Sequence, residues 1–308
     1  MVEWCVIQLC VVGFSSMANT VVMSSKSFNR TVIVVACRLV AAVWIVSACV
    51  YRQELDDFVQ EVWLAMRANE VFQYESFEPF LSVASFMVFI GMWGMLDFFV
   101  PSASKYRSNP SEDMSSWMGG TRYRDQFFWY LVPLVTLDLL FPRRYLPEKA
   151  PSALRLAAEV IGAIMVYDIS FFAWHSTIHL SPYLFKRIHA KHHAKLVQRA
   201  PESVRHTFVD GSMDVMCSIF ALNVLRCHPM SRALYDVVII ALITELHAGY
   251  DLPWQLHNVV PFGLYGGAPR HERHHREGHV YMQKFGTYLD EAFGFVPCRE
   301  SSKEIQHE

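Results

Sequence analysis

Histidine is missing from the first 174 residues of this chain, C-x-x-C pairs are missing throughout, and charge is scarce. Charged residues make up 18% of the 308 positions against 53% hydrophobic ones. With a mean hydropathy of +0.20, the chain is more apolar than an ordinary soluble domain. A net charge of −2 and the lack of a long basic arm argue against a nucleic-acid partner. The seven cysteines are scattered, which excludes a disulfide scaffold and leaves them as small thiol side chains, mostly buried. The N-terminus lacks the features of a secretory signal. It carries Glu3 where a basic region would stand, and Ser15, Ser16, Asn19 and Thr20 dilute its apolar run. It reads as an uncleaved, weak membrane segment. There is no internal repeat, no low-complexity segment and little strand-like alternation, so an all-α fold is expected.

Long apolar runs are abundant. Residues 31–50 and 79–100 each meet the requirement of about 20 apolar residues for a bilayer crossing. Arg38, inside the first run, should snorkel or find a partner. Residues 126–141 are shorter and hold Pro133, which predicts a tilted or re-entrant helix, and 152–174 form another helix. Residues 214–226 and 232–248 predict a hairpin that dips into the bilayer and turns at Cys227-His228-Pro229. The loop 51–78 is acidic, whereas 101–125 and 175–200 are basic. The positive-inside rule then puts 51–78 in the lumen and the histidine-rich segments in the cytosol. Arg143, Arg144 and Lys149 oppose full crossings on both sides of them and favour shallow helices there.

All fourteen histidines follow residue 174, and ten fall into four arrangements. His175 and His179 form H-x-x-x-H. His189, His192 and His193 form H-x-x-H-H, as do His271, His274 and His275. His247 and His257 stand in HAGYDLPWQLH. Spacings of i, i+3 and i+4 place imidazoles on one helix face. Ser181-Pro182 reads as the start of the helix that carries the middle box, and the Gly266-Gly267-Ala268-Pro269 turn precedes the last one. A zinc ion takes about four ligands, so ten imidazoles suit two adjacent metals. Asp168 lies on one stripe with His175 and His179 and is a candidate partner for the outer nitrogen of a ligand imidazole. Tyr250 and Asp251 are further candidates for that supporting role. His206, His228, His279 and His307 are expected to be non-ligands. The expected architecture is an integral membrane helical bundle with a cytosol-facing, histidine-rich di-metal site. Its divisions are 1–125 (membrane helices and loops), 126–300 (catalytic domain) and 301–308 (tail).

The boxes WHSTIH, HAKHH and HERHH, with CHP (227–229), HAGYDLPW (247–254) and VPFGLYGG (260–267), resemble the integral-membrane fatty acid hydroxylase / sterol desaturase superfamily. Within it they look most like the cholesterol 25-hydroxylase-like and 4-methylsterol oxidase-like branches. The resemblance covers about residues 150–297. It implies a non-heme di-iron, O2-dependent enzyme of the endoplasmic reticulum, multi-pass, fed electrons by a reductase or cytochrome b-type partner. It also implies that the eight box histidines, with His247 and His257, bind two irons, zinc being a possible substitute in purified protein. Two departures stand out. Leu180 follows H-x-x-x-H where relatives often have another histidine. After the last box, GHVYMQKFGTYLDEAFG replaces the usual asparagine and tryptophan-aspartate pair, with Tyr288 and Asp290 only loosely comparable. The expected reaction is hydroxylation of a C–H bond on a sterol or other lipid. Oxidation at a sterol C4 methyl, and fatty-acyl hydroxylation or desaturation, are alternatives within the same chemistry. A zinc-dependent membrane hydrolase or a non-catalytic metal-binding protein are alternatives of another class.

Overall fold

The computed structural model describes residues 30–74, 76–108, 131–136, 139–140, 145–195 and 197–297. The described residues are helical with no strand, as the sequence predicts; only two isolated bridges occur, Arg107 with Tyr250 and Tyr265 with Gly286. The main helices are α1 (Arg30–Val50), α2 (Arg52–Ala68), α3 (Phe77–Phe99), α4 (Ala153–Leu180), α5 (Phe208–Val224), α6 (Pro229–Leu246), α7 (Gly267–Glu277) and α8 (Tyr288–Phe293). Helices α1, α3 and α4 are long and apolar enough to cross a membrane, and the chain is a membrane protein.

Helix α1 buries none of its residues and presents apolar side chains outward. It is tethered by its two arginines. Arg38 donates to the carbonyls of Val259 (2.9 Å) and Asn258 (3.0 Å), and Arg30 pairs with Asp251. The arginine that was costly in an isolated span thus finds backbone partners on a turn 220 residues away.

The predicted acidic loop 51–78 is largely helical. Its amphipathic portion forms α2, which buries Val59 and Trp63 against Met230 and Ala233. Trp63 donates to the Pro147 carbonyl (2.9 Å), and Asp56 accepts from the Ala153 amide (2.7 Å) at the start of α4. Helix α4 runs on through His179 to Leu180 instead of stopping near residue 174. Of 126–141, the described parts 131–136 and 139–140 are helical, and the rest lies outside the described residues.

The 214–248 region forms a helical hairpin turning at 225–228, whose second arm is α6. It is buried on nearly every side, as expected of a helix enclosed by protein. Ser82 and Ser85 of α3 are small enough to let that helix approach it closely. The principal core joins Phe86 of α3, Tyr167 and Phe171 of α4, Val215 and Leu222 of α5, and Tyr235, Ile239 and Leu246 of α6. Glu78 clamps α3 to α6 through a two-pronged pair with Arg232, at 2.7 and 2.8 Å. Arg232 is only 8% exposed, so Glu78→Gln leaves a nearly buried cation half-compensated. A loss of about 3 kcal/mol is expected, read as a melting-temperature drop of roughly 5–10 °C. An unchanged melting point would show that the pair does not clamp the helices.

Candidate metal centre

The box histidines come from three segments. The last two turns of α4 carry His175 and His179. The middle box sits on a distorted helical segment. One turn, Pro182–Leu184, opens into a π-helix, Phe185–His189, where the Ala190 amide reaches back five residues to the Phe185 carbonyl (2.8 Å). It ends in a 3-10 turn, His192–Ala194. The predicted regular helix is therefore widened one turn before the paired histidines, a distortion found often at functional sites. The last box lies on α7, which ends at the left-handed Gly278.

Each H-x-x-H-H box is divided between two groups of imidazoles. Successive helical residues are rotated by about 100°. Residues i and i+4 therefore project together, while i+3, directly beside i+4, points elsewhere. His189 and His193 join His175, His179 and His274 in one group. His271 and His275 join His192 and His247 in the other. Within each group the potential ligand atoms lie within 4.8 Å of one another. The groups adjoin, with the rings of His193 and His275 stacked at 4.3 Å.

Outer partners aim most of these rings. In the first group, His175 Nδ1 donates to the Met282 carbonyl (2.7 Å), His274 Nδ1 to Val280 (2.8 Å) and His189 Nδ1 to Asp210 (2.8 Å). In the second group, His247 Nδ1 donates to Ile243 (2.7 Å) and His192 Nδ1 to Arg205 (3.3 Å). With Nδ1 carrying the proton, Nε2 presents a lone pair inward. His175 Nε2 and His189 Nε2 then face each other at 3.0 Å with no proton to share. The Nε2 atoms of His179, His193 and His274 are buried without a partner. In the second group, His271 Nε2 lies 2.9 Å from His247 Nε2 and 3.1 Å from His275 Nε2. The facing lone pairs of His175 and His189 repel unless a cation sits between them, and nitrogens about 2.0–2.1 Å from a common ion are spaced this way. The donor sets fit two metal ions.

Burial keeps these rings neutral and able to ligate. Burial first, then neighbouring imidazoles, holds His192, His271, His274 and His275 well below the ordinary histidine range. Burial carries His247 to about 3 and, with His189 and His179, His193 to about 2. Between these low folded values and the ordinary 6.5, the unfolded chain binds more protons. The contribution to stability is complete above pH 6.5 and is lost as pH falls. Metal-free protein should therefore melt progressively lower between pH 7 and pH 5 in a thermal-shift titration. A flat profile would contradict the burial of neutral imidazoles.

Several predicted residues sit elsewhere. His257 belongs to neither group; its Nε2 is bonded to Asp251 (2.8 Å) and its ring abuts Gly267 at the start of α7. Asp168 does not touch a histidine. It accepts from the Phe285 and Gly286 amides and from Gln283 Nε2, holding the loop whose carbonyls aim His175 and His274. Tyr250 bonds Asp97 and Arg107, and Asp251 bonds Arg30 and His257, so neither supports a box histidine. His228 caps α6, accepting from the Met230 amide, and His279 is exposed. His307 lies outside the described residues. His206, expected to be a bystander, is buried at the site, as is Asp210, which sequence reading passed over. The only local signal was their i, i+4 spacing. Cys217 and Cys227 are buried, Cys37 is half-buried and Cys49 is exposed, while Cys5, Cys10 and Cys298 lie outside the described residues.

The last box also satisfies H-E-x-x-H, the spacing of helical zinc hydrolases, with His271 and His275 in one group and Glu272 between them. Such a zinc takes three protein ligands and keeps a position open. Here four imidazoles share that group, and five more adjoin it.

The fatty acid hydroxylase family model matches residues 160–295, from α4 to just beyond α8. Human cholesterol 25-hydroxylase is 29% identical over 250 residues, covering 77% of this chain and 90% of that protein. The mouse enzyme is 28% identical over 245 residues, covering 77% and 82%. A zebrafish cholesterol 25-hydroxylase-like protein is 34% identical over 170 residues, covering 54% and 66%. No solved structure matches the chain significantly. Residues 160–295, which hold all nine clustered histidines, form a fatty acid hydroxylase family domain.

Proposed function

We propose that the chain is an O2-dependent, non-heme di-iron hydroxylase that oxidises a C–H bond of a sterol or other lipid. The observation that carries this reading is the sorting of nine imidazoles, seven of them buried, into two adjoining groups of potential ligand atoms. The similarity to cholesterol 25-hydroxylases supports the lipid substrate. His175, His179, His189, His193 and His274 would hold one iron, and His192, His247, His271 and His275 the other. When bound, the irons supply O2 activation and the oxidising power for an unactivated C–H bond.

The chain's own residues do the rest. Backbone carbonyls of Met282, Val280, Ile243 and Arg205 retain the Nδ1 protons, which fixes each tautomer and ring angle. Burial excludes water that would compete for the site and quench a reactive oxidant. Apolar α1, α3 and α4 bring a lipid substrate to the site within the bilayer. We place the protein in the endoplasmic reticulum membrane with the site facing the cytosol, on the charge pattern of its loops, where a soluble or membrane-anchored electron donor can reach it. We assign catalysis to residues 126–300, with 1–125 as membrane helices and loops and 301–308 as a tail.

Metal analysis of protein purified without added metal, paired with lipid analysis of cells with and without the gene, tests this. Two irons per chain and an O2-dependent hydroxyl on a sterol or fatty acid are expected. Zinc with O2-independent hydrolysis would replace the reading with the hydrolase that the H-E-x-x-H spacing suggests.

A further inference from the structure

We propose that Asp210, which lies outside every histidine box, positions one imidazole in each of the two groups: His189 directly, and His192 through His206. The proposal rests on the two-metal reading above. Asp210 sits in the first turn of α5 and is 2% exposed. Its Oδ2 accepts from His189 Nδ1 at 2.8 Å and from His206 Nδ1 at 3.0 Å. One carboxylate oxygen therefore fixes two rings. His206 Nε2 is in turn 3.0 Å from the Ser203 carbonyl. Both its nitrogens face acceptors, so His206 is fixed in orientation and is not a ligand. Its ring lies parallel to His192, 4.5 Å between centroids and 12° between planes. The neighbouring residue, Arg205, offers the carbonyl that receives His192 Nδ1.

The segment that presents this ring is itself pinned to the middle box. Lys191 Nζ donates to the His206 carbonyl, and Thr207 Oγ1 donates to the Ile188 carbonyl, both at 2.8 Å. The α5 cap is supplied by Thr207, whose hydroxyl accepts from the Asp210 amide, so the Asp210 carboxylate is not needed to start the helix. The other outer partners identified here are backbone carbonyls, which substitution cannot remove. Asp210 is a side chain, and it is anionic. A carboxylate behind a ligand imidazole both fixes its tautomer and raises its basicity. His206 spreads that hold to the second group by stacking.

The test compares full-length wild type, Asp210→Asn, His206→Ala and His206→Phe, each loaded with cobalt(II) in detergent. Metal loss to a chelator and the visible cobalt spectrum are followed. Asp210→Asn is expected to lose metal roughly 10–100-fold faster, with a shifted spectrum. His206→Ala should speed loss from one of two kinetic phases, and His206→Phe, which keeps a flat ring against His192, should restore that phase. Wild-type release rates and spectrum in Asp210→Asn would overturn the proposal. If Asp210→Asn does not fold, the His206 pair decides: equal release from His206→Ala and wild type overturns it, and rescue by His206→Phe supports it. A wild-type protein that binds no cobalt, zinc or iron would sink the two-metal reading itself, a result distinct from either of these.

Discussion

Replacing His275 with alanine is expected to abolish lipid hydroxylation while leaving the metal-free protein folded. His275 stands where the two groups meet. Its Nε2 is 3.1 Å from His271 Nε2, and its ring stacks on His193 of the other group. Removing an outer partner of a ligand histidine costs 10–100-fold in affinity or activity, and losing the ligand itself should cost more than ~100-fold. The metal content should fall from two ions per chain toward one, because the first group keeps its five imidazoles. The effect on the apo fold has the opposite tendency. Burial and neighbouring imidazoles make a neutral His275 costly to protonate, and deleting it removes part of the acid sensitivity. His192→Ala should behave alike, since His192 belongs to the same group. Full turnover in either variant would remove that residue from the ligand set.

The boxes were legible because i, i+4 geometry is local: any helix through His175 and His179, or through His271 and His275, pairs those rings. The division of each triplet between two groups was not read, although it follows from the same rotation per residue once two receiving groups exist. His247 was placed in a group by contacts with His192 and His271 that span 55 and 24 residues. His257, ten residues on, was drawn away by Asp251. Asp210 meets His189 across 21 residues, and no local pattern marks such a contact. In the fold, apolar length announced α1, α3 and α4. The central place of α6 did not show, because an 18-residue apolar helix reads the same whether lipid or protein surrounds it. Nor did the tail after the last box. Its side chains depart from the pattern of the resembled family, yet what it offers His175 and His274 are the carbonyls of Met282 and Val280, which any residue supplies.

What the tail needs is an anchor, and Asp168→Ala should therefore give the largest loss of stability among these substitutions. Asp168 is 3% exposed in the middle of α4. Its Oδ1 accepts from the Phe285 amide (2.9 Å), and its Oδ2 from the Gly286 amide (2.8 Å) and Gln283 Nε2 (2.7 Å). Gly286 is required for this approach, because a Cβ there would lie 2.4 Å from Gln283 Nε2 and 3.0 Å from Asp168 Oδ2. Truncation strands two backbone amides and a side-chain amide in a dry interior, at about 1–3 kcal/mol each. A total of about 4 kcal/mol is expected after partial relaxation, a melting-temperature fall of roughly 10 °C. Lys284, bonded to Tyr167 (2.6 Å) and Asp214 (3.1 Å), holds the same loop independently, so the segment should loosen without leaving the core. The functional consequence is selective. Loosening Met282 and Val280 frees the Nδ1 atoms of His175 and His274, both in the five-histidine group. That group should release metal to a chelator first, while the ion held by His192, His247, His271 and His275 persists. Asp168→Asn keeps one acceptor oxygen but sets an NH2 group against the amides that the other oxygen received, so an intermediate loss is expected. Thermal unfolding of the metal-free variants and the order of chelator release decide the matter. Equal release from both groups in Asp168→Ala, or a melting point within a degree or two of wild type, would show that the tail is held without this carboxylate.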